Sequence, residues 1–179
     1  MKQTLKQLQD ETKHTEMGKI LNFEVEKAKR MDGKLDFDDV EIGEIDEMGG
    51  TAGECDMRTK KMRIRKDLAT TKSGIRKSIA EILIHEGEHH RGTHLEGVAE
   101  LVKTVKTGKS ANPHYAEEHK AAKELASEIG TQELVDASRR HGAGAEVIIL
   151  SKYINKQVEK NMNPEKAKEK GKKLVKKAA

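Results

Sequence analysis

Aromatic residues and cysteine are scarce in this chain of 179 residues. It contains no tryptophan, and aromatic residues make up only 2% of the sequence. Proteins that bind single-stranded nucleic acid without sequence preference stack the bases on aromatic side chains, so this mode of binding is poorly supported. With a single cysteine, Cys55, the chain cannot form an internal disulfide, which is typical of a protein from a reducing compartment.

Long hydrophobic segments are also missing from the sequence. No apolar run approaches the roughly 20 residues of a transmembrane helix, and the first ten residues lack the apolar core of a secretory signal. Hydrophobic residues make up 34% and charged residues 37% of the chain, which indicates a modest core and helices with solvated faces. We therefore expect a cytoplasmic protein with no membrane partner.

Two stretches of the sequence have the pattern of β-strands. Apolar and polar residues partly alternate over residues 35–45, and residues 54–57 and 61–65 flank a short turn, which predicts a β-hairpin. The second hairpin strand precedes a long helical pattern. If it forms the edge of a sheet along a cleft, its free backbone groups can pair with an extended peptide. The alternative is an ordinary edge strand whose charges resist aggregation.

The rest of the chain has helical spacing, so the sequence predicts an α+β protein with several helices. The helical pattern over residues 5–30 has a break near Gly18, and the turn at Gly92 separates two further helices. The remaining predicted helices cover residues 73–90, 93–105, 114–129, 131–139 and 147–158, followed from Asn163 onward by a lysine-rich segment that we expect to form a frayed or solvent-exposed basic helix.

One helical stretch carries the pattern His85-Glu86-x-x-His89. Residues four apart lie on one face of a helix, so both imidazoles can reach one tetrahedral zinc ion. Glu86 is offset from this pair, so its carboxylate can hold and deprotonate a water molecule instead of binding the metal. The alternative is a solvated helix that happens to be rich in histidine and glutamate.

A catalytic zinc ion usually takes three protein ligands, so the pattern leaves one ligand to be found. Glu96 is the first choice, because the Gly92 turn lets the next helix fold back beside the first. Thr93-x-x-Glu96 also fits a capping box, which needs no metal. Glu100, Glu117 or Glu118, and His94 are the alternatives, with Glu100 also suited to orient a histidine from outside the ligand set.

Residues 85–89 resemble the His-Glu-x-x-His helix of the zincin metallopeptidases, and residues 96–100 resemble the glutamate helix of the gluzincin branch. The resemblance implies that His85, His89 and Glu96 bind zinc and that Glu86 is the general base and acid. The strand–helix–helix order of residues 54–105 is similar to a minimal zincin core. In many zincins a tyrosine or histidine polarises the substrate, and the candidates here are Tyr115, Tyr153, His114 and His141.

The sequence departs from the zincin patterns at two points. The spacer between His89 and Glu96 is shorter than gluzincins generally have, which keeps Glu118 open as the third ligand. Leu95 stands where a metzincin would carry its third histidine, so the gluzincin-like form fits better.

We therefore expect a small zincin-like domain, in which a short β-sheet packs on the histidine helix, over residues 35–162. A helical segment, 1–34, precedes it, and a basic tail, 163–179, follows. The expected activity is zinc-dependent hydrolysis of a peptide or protein substrate. The alternatives are a metal-binding protein without proteolysis and a nucleic-acid-associated helical protein. The lysine-rich tail predicts at least a weak nucleic-acid contact.

Overall fold

The computed structural model describes residues 2–33 and 35–179, which divide into two compact units at residues 1–90 and 91–179. The protein is mostly helical with a small three-stranded mixed sheet, so the predicted α+β class is confirmed at this level. The sequence predicted segments at 1–34, 35–162 and 163–179, whereas the two units meet between residues 90 and 91. The first predicted boundary, at Lys34, lies outside the described residues. Among the described residues, no helix combines the length and apolar character that crossing a membrane requires.

Two helices open the first unit, α1 at Leu5–Thr12 and α2 at Glu16–Asp32. Thr15 caps α2, because its hydroxyl accepts a hydrogen bond from the backbone N–H of Gly18 at 2.9 Å. The break between the helices therefore falls at residues 13–15, slightly before the predicted position. Gly18 lies inside α2, where a Cβ would stand 1.9 Å from the carbonyl oxygen of Thr12. Only glycine allows the chain to turn back this tightly.

The sheet consists of β1 at Glu41–Gly43, β2 at Gly53–Asp56 and β3 at Lys61–Arg65, in the order β1-β3-β2. Strands β2 and β3 pair in antiparallel fashion, which confirms the predicted hairpin, while β1 runs parallel to β3. The expected strand over 35–45 is much shorter than its pattern suggested. Because β3 is the middle strand, it cannot be the open edge before the histidine helix, and β2 takes that place.

The histidine helix runs from residue 72 to residue 90 as three joined pieces. Helix α3 at Lys66–Thr70 precedes it, α4 at Lys72–Gly74 begins it, a π-helical turn covers Ile75–Ile79, and α5 at Ala80–His90 completes it. The hydroxyl of Thr71 caps its start, and Gly92, with a φ of 111°, follows its end. The prediction of a helix over 73–90 is thus confirmed, although the π turn, a feature that often accompanies functional sites, was not foreseen.

The core of the first unit gathers apolar side chains from α1, α2, the sheet and the histidine helix. Its fully buried members are Leu5, Leu21, Val25, Ala28, Phe37, Ile64, Ala69, Ile75, Ile79, Leu83 and Ile84. The apolar side of β3 and the apolar side of the histidine helix both belong to this cluster. The core therefore fixes α5 against the sheet and determines which of its residues face away from it.

Among the described residues, the second unit contains only helices. They are α6 at Glu96–Thr107, α7 at Ala116–Ile129, α8 at Thr131–His141, α9 at Ala145–Glu159 and α10 at Pro164–Ala178, with short 3-10 turns at Pro113–Tyr115 and Gly142–Gly144. The predicted helices are all present, although α6 begins three residues later than expected. The core of the second unit contains Leu95, Val98, Ala122, Leu125, Leu134, Ala145, Ile149 and Tyr153.

Helix α10 is part of this core: the expected basic helix is present and its lysines are exposed, but it is packed along one face and is not frayed. Its buried stripe consists of Ala167, Gly171, Leu174, Val175 and Ala178. A Cβ at Gly171 would lie 2.7 Å from Leu150 and 2.8 Å from the ring of Tyr153. The missing side chain therefore lets α10 approach α9 closely, and the apolar positions that lie between the lysines hold it there.

Candidate metal centre

Helix α5 buries an unusual number of ionisable side chains. His85, Glu86, Glu88 and His89 are exposed by only 6%, 8%, 0% and 7%. Ionisable groups are rarely buried unless they are paired, because leaving water costs free energy that an apolar contact does not return. The alternative of a solvated helix rich in histidine and glutamate therefore does not describe α5.

The two imidazoles of the motif face each other across one helical turn. Their Nε2 atoms lie 3.3 Å apart, and their ring centroids are 5.0 Å apart at an interplanar angle of 64°. Two zinc–nitrogen bonds of about 2.05 Å at a tetrahedral angle place their nitrogens about 3.3 to 3.4 Å apart. The Nε2 pair thus already has the separation that two ligands of one tetrahedral zinc ion require.

Glu96 is the third member of the group. A carboxylate oxygen of Glu96 and one ring nitrogen each from His85 and His89 all lie within 4.8 Å of one another. Two neutral imidazoles and one carboxylate form a donor set found at catalytic zinc sites.

The start of α6 bears on the competing role for Glu96. A capping box would place Thr93 at the N-cap and Glu96 three residues into the helix. Helix α6 instead has Leu95 at its N-cap and Glu96 as its first residue. Leu95 is extended, with φ −90° and ψ 114°, so the helix cannot begin earlier. Glu96 therefore stands at a helix N-terminus, where a carboxylate is favoured.

None of the alternative ligands joins this group among the described residues. Glu100 is almost fully buried and forms an ion pair of 2.7 Å with Lys103. Glu118 is half-buried on α7, and its carbonyl oxygen lies where a Cβ of Gly97 would be. His94 is exposed and lies beside Gly142.

The pair of Glu100 and Lys103 organises the loop that follows α6. Glu100 accepts a hydrogen bond of 2.5 Å from the backbone N–H of Asn112, and the ammonium of Lys103 donates to the carbonyl of Ser110 at 3.2 Å. Two backbone positions of this loop are therefore tied to one buried ion pair. The i,i+3 spacing of the two residues is visible in the sequence, but it does not reveal that both are buried.

Glu86 lies against the edge strand of the sheet. A Cβ built on Gly53 of β2 would stand 3.2 Å from Glu86 Oε1 and 2.3 Å from the side chain of Ile82. Glycine at this position therefore leaves room for the Glu86 carboxylate beside the backbone of β2. Nothing in the sequence marks this contact, because residues 53 and 86 are joined only by the packing of the sheet on the helix.

Cys55 also lies on β2, and the charge of the Glu86 carboxylate affects its thiol. Its thiol is free and half-buried. Burial, with a further contribution from the negative charge of Glu86, raises the pKa of the thiol to about 11. Cys55 is therefore a protonated, weakly reactive thiol at neutral pH.

The residues considered for polarising a substrate have different surroundings. Tyr153 is fully buried in the hydrophobic core of the second unit, which removes it from contact with a substrate. His114 and Tyr115 form an edge-to-face ring contact with centroids 4.9 Å apart, in the 3-10 turn next to Asn112. His141 is exposed at the end of α8.

Comparison of the chain with protein-family models, with curated proteins and with solved structures finds no match in any of the three. The function is therefore inferred from the chemistry of these residues alone.

Proposed function

We propose that the protein is a zinc-dependent metallopeptidase of the zincin type, with His85, His89 and Glu96 as metal ligands and Glu86 as the general base. The observation that carries the proposal is the pair of buried imidazoles whose Nε2 atoms lie 3.3 Å apart, the separation of two ligands at one tetrahedral ion.

The chemistry that the site would perform follows from its donor set. A zinc ion bound there would act as a Lewis acid on the scissile carbonyl and bring the pKa of a water molecule toward about 7. Glu86 would accept the proton of the attacking water on a carboxylate oxygen and deliver it to the nitrogen of the leaving amine. His85 and His89 would hold their orientation by being fixed one turn apart on a packed helix.

An extended peptide is the substrate that the surroundings favour. No other strand of the described chain pairs with the outer edge of β2, whereas Thr4 forms an isolated bridge to Glu41 on the β1 side of the sheet. Open backbone donors and acceptors of an edge strand can pair with an extended chain. Because Gly53 of β2 adjoins Glu86, a peptide paired there would pass close to the proposed base. The free thiol of Cys55 fits the reducing conditions of the cytoplasm, where we place this activity.

The substitution Glu86→Gln tests the proposal directly. The amide keeps the shape of the side chain but cannot accept the proton, so we expect cleavage of unfolded casein to fall by about 10²-fold to 10⁴-fold. Zinc content, measured by atomic absorption after dialysis, should stay at the wild-type level. The exposed Glu117 on α7 gives a matched control, and Glu117→Gln should change neither quantity.

Two outcomes would overturn the assignment. Wild-type protein that binds zinc but cleaves neither casein nor a mixed peptide library would be a metal-binding protein without proteolysis. Cleavage that survives Glu86→Gln at the wild-type rate would remove Glu86 from the mechanism.

A further inference from the structure

The charge of the protein is concentrated in its last helix. Residues 163–179 contain seven lysines and two glutamates, so this segment carries a formal charge of +5, whereas residues 1–162 carry −1. The net charge of +4 is therefore a property of α10 and not of the protein as a whole. All seven lysine side chains are exposed.

The lysines form two rows along α10. One row, named the 168 row, contains Lys168, Lys172 and Lys176, and the other, named the 166 row, contains Lys166, Lys170, Lys173 and Lys177. With about 100° of rotation per residue, the rows lie about 130° apart, one on each side of the buried stripe. Residues 170–179 contain five lysines and no acidic residue, so the second half of the helix is cationic on both flanks.

Most of these lysines form no ion pair within the described part of the chain. Lys170 forms an ion pair of 3.0 Å with Glu124, but the other six have no acidic partner among the described residues. The lysines of the neighbouring helix α9 behave differently: Lys152 and Lys156 pair with Glu133 and Glu159 at 2.6 Å and 3.3 Å. The helix macrodipole accounts only for cations in the last turn, Lys176 and Lys177. The remaining lysines have no structural role of this kind.

We propose that α10 binds the backbone of duplex DNA, with the two lysine rows contacting the phosphates on either side of the major groove. A helix about 10 to 12 Å across fits this groove, which is about 12 Å wide. Recognition helices commonly enter it while their opposite face stays packed on their own domain, as the apolar face of α10 does. The contact is independent of sequence, since lysines on phosphates carry no base information.

A lipid surface is the less suitable partner. Amphipathic helices bind membranes by burying their apolar face in the lipid. The apolar face of α10 is already covered by the second unit, with Leu174 and Val175 exposed by 7% and 4%. The two rows also point to opposite sides of the helix, so a flat anionic surface would contact one row at a time.

The test uses the full chain and a fluorescein-labelled 24-base-pair DNA duplex, titrated between 50 and 200 mM salt. Six phosphate contacts give a slope of log K against log salt concentration of about −5, and each contact contributes about −0.9. Lys168→Gln/Lys172→Gln/Lys176→Gln and Lys166→Gln/Lys173→Gln/Lys177→Gln should each reduce the slope to about −2.7. A control with the same loss of charge, Lys13→Gln/Lys19→Gln/Lys77→Gln on exposed lysines of the first unit, should retain the wild-type slope.

The comparison ligands decide between kinds of partner. The proposal requires tighter binding to the DNA duplex than to the single strand, to an RNA duplex of the same sequence, or to vesicles of 30% phosphatidylserine in phosphatidylcholine. Equal binding to the RNA duplex or to the single strand would overturn the groove contact, and tighter binding to vesicles would replace DNA with a membrane. If the salt dependence of binding falls equally in the Lys13→Gln/Lys19→Gln/Lys77→Gln control, binding depends on net charge and not on α10, and the proposal is wrong.

Discussion

Helices α5 and α10 treat their charged residues in opposite ways. Helix α10 places seven lysines in solvent and five small or apolar residues in the core, as amphipathic helices of globular proteins generally do. Helix α5 buries two histidines and two glutamates together with its apolar residues. One helix thus follows the usual partition between water and core, and the other departs from it.

The difference shows where function is to be sought in each unit. The charges of α10 keep their hydration, so they add little to stability and remain available to a polyanion. The ionisable groups of α5 are buried, and each has an interaction within the protein that holds it in place. A metal ion that accepts the lone pairs of His85 and His89 would bind between two side chains that are already positioned for it.

The largest expected effect comes from removing one imidazole of α5. His85→Ala or His89→Ala should lower bound zinc from about one ion per chain to none, because two protein ligands do not hold the metal. Wild-type protein should also unfold at a lower temperature after treatment with EDTA, since zinc at 100 times its Kd stabilises by about 2.7 kcal/mol. The exposed His94 provides the control, and His94→Ala should leave zinc content unchanged. Full zinc content in either of the first two variants would contradict the site.

The next largest effect concerns the third ligand. Glu96→Gln should weaken zinc binding by more than about 100-fold, because losing a ligand exceeds the 10-fold to 100-fold effect of losing an outer partner. Glu118→Gln should bind zinc as wild type does. Glu100→Gln should lower the melting temperature instead, since it leaves Lys103 in a buried site without its full partner. Competition with a fluorescent zinc chelator gives the affinities. Loss of zinc in the Glu118 variant alone would make Glu118 the third ligand in place of Glu96.

The features that could be predicted from the sequence are those set by neighbouring residues. The hairpin of β2 and β3 follows from alternation and a turn in which the Asp56 side chain accepts hydrogen bonds from the backbone N–H groups of Arg58 and Thr59. The pairing of His85 with His89 follows in the same way from one turn of helix. Helix ends at Gly108 and Gly130, both with positive φ, also follow from local rules.

Features that depend on distant parts of the chain could not be predicted. The position of β3 between β1 and β2 requires a parallel pairing of residues 22 positions apart, such as Glu41 and Arg63, which no local pattern encodes. The contact between Gly53 and Glu86 depends on that sheet packing on α5. The apolar stripe of α10 was visible in the sequence, but its lysines dominated the pattern, and only the surface offered by α7 and α9 shows that the stripe is buried.

A smaller effect tests whether the apolar face of α10 is packed in the core. Leu174→Ala removes a side chain exposed by 7% and should lower the free energy of unfolding by about 2 to 5 kcal/mol. The adjacent Lys173→Ala, at an exposed position, should change it by less than about 0.5 kcal/mol. Urea denaturation followed by circular dichroism measures both. Equal stability of the two variants would mean that α10 behaves as a loose tail in solution.

The smallest effect tests the surroundings of Glu86 without relying on catalysis. Because burial and the nearby charge raise the pKa of Cys55 to about 11 from an ordinary value of 9.0, its thiolate is scarce at pH 8. Iodoacetamide should therefore modify Cys55 about 100-fold more slowly in the metal-free folded protein than in the urea-unfolded chain. The rate should climb with pH up to about 11, and the stability that the protonated thiol provides should be lost over the same interval, from pH 9 upward.

Glu86→Gln removes the larger of the charges that raise the pKa of Cys55, so the thiol pKa should fall and alkylation at pH 8 should accelerate. Glu54→Gln is the matched control, because Glu54 neighbours Cys55 in the sequence but pairs with Arg63. If the two variants react at the same rate, the charge of Glu86 does not reach Cys55, and the carboxylate does not lie beside β2. If only the Glu86 variant reacts faster, the carboxylate is in place before any metal is added, and the buried polar face of α5 is organised by the fold itself.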